Sequence, residues 1–157
     1  MADRAVFLLA VVIGAAVVAA IVVGGVVAAR RQFMIIKVVG DSMRPGLAPG
    51  DRLLVRRTRR LRVGNIVIAH HQEGGRRTVP TGSAASAWLV KRLAALPGDT
   101  VPEPVVHAVG GRFRHVPAGM TVLLGEHPES LDSRRWGFVP LEDIEGVAVW
   151  RLGPDDR

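Results

Sequence analysis

The 157-residue chain contains no cysteine, so disulfides and thiolate metal sites are excluded, the redox compartment is left open, and the fold must stand on its core. Lysine is almost as scarce: Lys37 and Lys91 are the only two among 21 basic residues, and arginine supplies the rest. A lysine kept inside an apolar run therefore draws notice, because an amine can be deprotonated by its surroundings and a guanidinium cannot. After residue 30 there is no amphipathic helix of useful length, no internal repeat and no low-complexity tract, which sets aside helical bundles and solenoids. The formal charge of +7 and the pI near 11.4 suit nucleic acid, anionic lipid or simply a basic surface. No DNA-reading helix is recognisable, so nucleic acid is not expected as a partner.

Residues 5–29 are 25 consecutive positions without a charge, rich in Val, Ala, Ile and Leu. At about 1.5 Å per residue they span a hydrocarbon core of about 30 Å, and they are read as a transmembrane helix. A cleaved secretory signal is the rival, but its apolar region runs about 7–15 residues after a basic start. The expected organisation is a membrane anchor over residues 1–30 followed by one domain over 31–157, with membrane lipid as a partner. Arg30, Arg31 and Lys37 follow the apolar run while Arg4 precedes it, so charge bias alone places the domain in the cytoplasm.

The segments 34–39, 52–55, 65–69, 88–93, 105–109, 112–116, 121–124 and 147–152 are short and rich in Val, Ile and Leu, and are expected as strands. Gly and Pro punctuate them, and Gly110-Gly111 between two Val-containing runs predicts a hairpin. The domain is thus expected to be mostly β, an antiparallel sheet closed into a barrel-like body or sandwich. Residues 70–86 and 102–117 read as excursions from it.

Three stretches carry candidate chemistry. Ser42 stands between a flexible turn at Gly40 and a stiffer one at Pro45, a place suited to a nucleophile, although serines beside Gly and Asp are commonly turn residues. Lys91 lies in Trp88-Leu89-Val90-Lys91-Arg92-Leu93, where strand alternation puts it on one face with Leu89 and Leu93. Desolvation on such a face lowers a lysine pKa and makes a neutral amine available as a general base, whereas a lysine on an edge strand would instead reach out to water. In residues 125–137, Ser130, Asp132 and Arg134 are spaced by two and would share a face if extended. An Asp-Arg pair there would brace a loop while Ser130 orients the lysine, although read alone the cluster is a polar loop with a local salt bridge; Ser42 and Lys91 together would supply a Ser-Lys dyad with no histidine. The five histidines form no zinc-ligand pattern; a Ser-His-Asp triad is open by spacing, but no histidine stands out for it.

Together and in this order, these stretches resemble bacterial type I signal peptidases, the family that uses a Ser-Lys dyad. Gly40-Asp41-Ser42-Met43-Arg44-Pro45 with Leu47 is similar to the nucleophile box, and residues 62–68 to a short glycine-containing strand box. Lys91-Arg92 with Leu96-Pro97-Gly98-Asp99 resembles the box bearing the base, and Gly125, Ser130, Asp132-Ser133-Arg134 and Trp136-Gly137 the last box. The resemblance implies the signal peptidase fold and a serine endopeptidase that needs no cofactor or metal. Ser42 would be the nucleophile, Lys91 the base, and Ser130 the group that positions it. Asp132 and Arg134 would form a structural pair, with Gly40, Met43 and Gly125 as supporting positions. Its partners would be precursor proteins with signal or leader peptides, cut after small residues at the outer face of the cell membrane, against the charge bias. Three positions depart from the family pattern: Gly46 stands for a threonine, Asn65 for an aspartate, and His127-Pro128-Glu129 for a polar run. A hydroxyl that some members carry two residues before the nucleophile is missing, since Gly40 is there. The departures motivate an alternative, a peptidase dedicated to one precursor. A different class is a non-catalytic or regulatory membrane-anchored β domain.

Overall fold

The computed structural model describes residues 2–70, 72–73, 76–77 and 88–154. The chain forms two compact units, Met1–Phe33 and Met34–Arg157. The first is a single helix, α1 (Ala2–Gln32). Its stretch Ile13–Gln32 has a mean hydropathy of 2.2 and none of it is buried, so a helix long and apolar enough to cross a membrane presents its side chains outward. That fits the apolar helix expected over residues 5–29.

The second unit is a curled, mostly antiparallel sheet, a half-barrel. Its strands are β1 (Phe33–Lys37), β2 (Asp51–Arg56), β3 (Ile66–His70), β6 (Trp88–Ala95), β7 (Met120–Leu124), β8 (Val139–Pro140) and β9 (Ile144–Pro154), while β4 (Gln72–Glu73) and β5 (Arg76–Arg77) pair separately. The order across the large sheet is β1-β2-β9-β3-β6-β7-β8, so the C-terminal strand sits between β2 and β3 and ties early strands to late ones. Register shifts between Arg52 and Leu53, Leu54 and Val55, Ile68 and Ala69, and Leu93 and Ala95 let the sheet curl. At Gly146 on β9 a Cβ would stand 2.5 Å from Arg56 O, so only glycine lets β9 lie this close to the end of β2.

Alternating side chains feed different parts of the core. Val90, from one face of β6, packs with Val38, Met43, Leu47, Leu53, Val55 and Ile68. Leu93, from the other face, packs with Val67, Leu123, Ile144 and Val147. Lys91 shares the Leu93 face, as strand alternation predicts, and it is buried.

The hairpin expected at Gly110-Gly111 does not form. Residues Glu103–Val105 make a short 3-10 helix, and the chain continues in helical turns, with Val109 N–H donating to Val105 O at 3.2 Å and Gly111 N–H to Val106 O at 2.9 Å. Pro102 and Pro104 remove two ladder donors at the start of this segment, and Val105 and Val116 reach burial beside Val101 and Val122 without a strand. In place of the expected pairing, residues 114–116 face residues 98–101, with an isolated bridge between Thr100 and His115 and Val101 N–H donating to Arg114 O at 3.0 Å. The excursion expected over residues 70–86 lies largely outside the described residues.

Met43 is completely buried in the cluster under the 40–50 turn, directly after Ser42. We expect Met43→Ala to lower stability by about 2–5 kcal/mol through the cavity it opens. Urea unfolding checks this, and an unchanged midpoint would mean that Met43 does not anchor the turn.

Candidate active site

The turn that carries Ser42 is fixed from inside and from its ends. Gly40 has a φ of 79°, a conformation that favours glycine, so a serine hydroxyl at this position would come only with backbone strain. Arg44 N–H donates to Asp41 O at 3.0 Å and Leu47 N–H to Met43 O at 2.7 Å, which winds residues 41–47 into consecutive tight turns. Met43 and Leu47 point into the core from this winding, and Ser42 is left half-buried at its outer side.

Across from it stands β6. Lys91 is 3% exposed, and its Nζ donates to Ser130 Oγ at 2.8 Å. Burial pushes the Lys91 amine below its ordinary 10.5; the Asp132 carboxylate opposes that shift and the Arg134 guanidinium adds to it. Ser42, Lys91 and Ser130 line one cleft of about 700 Å³, with Leu89 and Trp136 as its apolar walls.

Ser130, Asp132 and Arg134 come together by a different geometry from the extended face expected. Residues 125–132 form turns, and Asp132 caps a one-turn helix, α2 (Ser133–Trp136), by accepting Arg134 N–H at 3.0 Å. The fully buried Asp132 carboxylate also accepts Gly125 N–H at 2.7 Å and pairs with Arg134 through Nε at 3.0 Å and Nη2 at 2.7 Å. Burial works to raise the Asp132 pKa, but the hydrogen bonds from Arg134 and Gly125 outweigh it and hold the carboxyl below its ordinary value. The same pairing raises the Arg134 pKa. Arg134 Nη2 reaches on to His127 O at 2.8 Å, and His127 O also accepts Ser130 N–H at 3.0 Å. The ion pair thus shapes the loop that aims Ser130 at Lys91. Ser133, next to it, is buried and accepts Leu123 N–H at 2.9 Å, which ties α2 to β7.

Gly125 is required by space. A Cβ there would overlap Ser130 Oγ and Cβ and come within 2.6 Å of Ser42 O, so this glycine is the floor on which the two serine segments meet. In the sequence His127 stands out only as part of the departure at His127-Pro128-Glu129. It lines the cleft, and its N–H donates to Ser42 O at 3.1 Å. Glu126 also went unnoticed, although its carboxylate accepts Gly46 N–H at 3.0 Å and pairs with Arg92. Neither has a signature in local sequence, because each acts on a turn about 80 residues away. Among the described residues no group of three or more His, Cys, Asp or Glu side chains is arranged to hold a metal ion.

The sequence profile of the family described as "Signal peptidase, peptidase S26" matches residues 8–103 and 105–152. A probable signal peptidase I-1 of Synechocystis sp. is 30% identical over 142 residues, covering 76% of this chain and 71% of the relative. Signal peptidase I of Leptolyngbya laminosa is 30% identical over 147 residues, covering 76% and 68%. Mitochondrial inner membrane protease subunit 1 of Schizosaccharomyces pombe is 29% identical over 129 residues, covering 78% and 74%. A cleft that gathers a serine-bearing turn and a buried lysine, on a half-barrel preceded by an apolar helix, agrees with these matches. The chain belongs to the signal peptidase family, peptidase S26, and is a membrane serine endopeptidase that removes signal peptides from precursor proteins.

Proposed function

We propose that Ser42 is the nucleophile, that Lys91 is the general base, and that Ser130 positions the Lys91 amine. The observation that supports this most is the buried Lys91 amine, held by Ser130 in the cleft that Ser42 lines. Neutral Lys91 takes the Ser42 hydroxyl proton as Oγ attacks the scissile carbonyl, and the Ser42 N–H donates to the oxyanion that forms. The protonated amine then gives that proton to the departing nitrogen, leaving an acyl ester on Ser42. Water, deprotonated by Lys91, hydrolyses the ester and restores the hydroxyl. Asp132 and Arg134 act on this sequence through Ser130, and Gly40, Met43 and Gly125 through the placing of Ser42.

On this reading residues 1–30 anchor the enzyme in the lipid of the cell membrane and residues 31–157 form the peptidase domain on its outer face, where signal-peptide ends emerge. Anchoring holds enzyme and precursor on one surface and raises their effective concentration. A reporter fused to the C-terminus is expected to work only outside the cytoplasm, and a signal confined to the cytoplasm contradicts the placement. The cleft is lined by the charged side chains of Asp41, Arg44 and Glu129, which favour a narrower choice of precursor than small residues before the cut would set alone.

Cleavage of a membrane-bound precursor tests the chemistry. Ser42→Ala is expected to reduce turnover to background. Lys91→Arg, which keeps the charge but cannot act as a base, is expected to lower kcat by about 10²–10⁴-fold. In the wild type the active form is the neutral amine, so kcat is expected to rise with pH through a Lys91 pKa below 10.5 and then level off. Near-normal turnover in the arginine variant would remove Lys91 from the role of base.

A further inference from the structure

Gly46 lies four residues after Ser42 in the same turn, and both of its backbone polar groups are held by ionised side chains. Its N–H donates to Glu126 Oε2 at 3.0 Å. Its carbonyl accepts Arg151 Nη1 at 3.2 Å, and Arg151 is itself paired with the buried Asp51 at 2.8 Å. On the other side, the Glu126 carboxylate accepts Arg92 Nε at 3.2 Å and is paired with Arg92 Nη2, while Arg92 Nη1 donates to Gly64 O at 2.7 Å. Arg92 is the residue after Lys91 on β6. Glu126 precedes His127, whose N–H holds Ser42 O. Consecutive residues of the 125–137 loop therefore grip the Ser42 turn at both of its ends.

Space at Gly46 completes the arrangement. A Cβ there would overlap Glu126 Oε2 and stand 3.0 Å from its Cδ. Gly46 is not among the glycines with positive φ, so alanine suits its backbone and the reason for glycine is room for the carboxylate. The flexibility of a glutamate side chain would ordinarily let it step aside. Here Arg92 fixes it from behind.

We propose that Glu126 is a positioning residue that, locked by Arg92, sets where Ser42 stands relative to Lys91, and that Gly46 is the complementary gap this lock requires. The proposal rests on Ser42 and Lys91 being nucleophile and base. Arg92 is 42% exposed and Glu126 20%, so the ion pair contributes little to global stability and its effect falls on geometry.

A double-mutant cycle on the full chain, reconstituted in vesicles with a preprotein substrate, tests it. Gly46→Ala and Glu126→Ala are each expected to lower kcat by about tenfold to a hundredfold, the range that a misplacement of about 1 Å brings, with KM and Tm little changed. With Glu126→Ala in place, adding Gly46→Ala is expected to change kcat less than about twofold, because the obstacle is gone. Equal costs of Gly46→Ala in both backgrounds, or normal kcat in Glu126→Ala, would overturn the proposal. Should Gly46→Ala alone fail to fold, recovery of a folded protein with the activity of Glu126→Ala in the double variant supports the lock, and failure of the double variant refutes it. Ser42→Ala run alongside separates the two levels. If it still cleaves, the nucleophile assignment fails; if it is inactive while the cycle is additive, only the lock fails.

Discussion

The site depends on keeping one amine out of water. Lys91 stands on a strand whose face is otherwise apolar, with Leu93 completely buried beside it, and its amine donates to the Ser130 hydroxyl. A neutral hydroxyl leaves the amine free to lose its proton, and burial drives that loss. The arrangement works against stability: below 10.5 the unfolded chain holds the Lys91 proton more tightly than the folded one, so this contribution weakens the fold as pH falls from 10.5 towards the lowered folded-state value. Asp132 acts in the opposite sense. Its depressed pKa adds stability above 3.8 that is lost as pH falls towards its folded-state value. One buried group supports the fold next to another that is strained for chemistry.

The loop of residues 125–137 is what makes the burial useful. It would otherwise be a polar excursion between β7 and β8, but the Asp132–Arg134 pair winds it into turns, and Gly125 lets it press against the Ser42 segment. From this position it delivers Ser130 to the lysine, His127 N–H to the Ser42 carbonyl and Glu126 to Gly46. Ser42 and Lys91 come from strands and turns that are distant in sequence, and the loop sets their common frame.

How much of this was legible beforehand varied with the range of the interaction. The apolar run of the helix, the facing of Lys91 on β6 and the mostly β class follow from local period and composition, which act within a few residues. The gathering of Ser130, Asp132 and Arg134 was legible as a cluster, but alternation suggested an extended face, and the Asp132 cap on α2 produced the contact instead. The Val-rich residues 105–116 looked like a hairpin because turn glycines and β-branched residues suit strands and buried turns alike; the prolines before them carried the decisive signal. Gly46 appeared only as a departure from a family pattern. Its reason, the Glu126 carboxylate in the space a side chain would fill, is a contact between residues 80 positions apart and has no trace in either local sequence.

The scarcity of lysine gives direct access to the central group. With only Lys37 and Lys91 in the chain, selective isotopic labelling of lysine yields two side-chain ammonium signals, and Lys37→Arg assigns them. Titration of the folded full-length enzyme in micelles should show the Lys91 signal changing at a pH below 10.5, and Ser130→Ala should alter that signal while leaving the other in place. A Lys91 amine that titrates at or above 10.5, or that does not respond to Ser130→Ala, would contradict the account of a buried base held ready by Ser130.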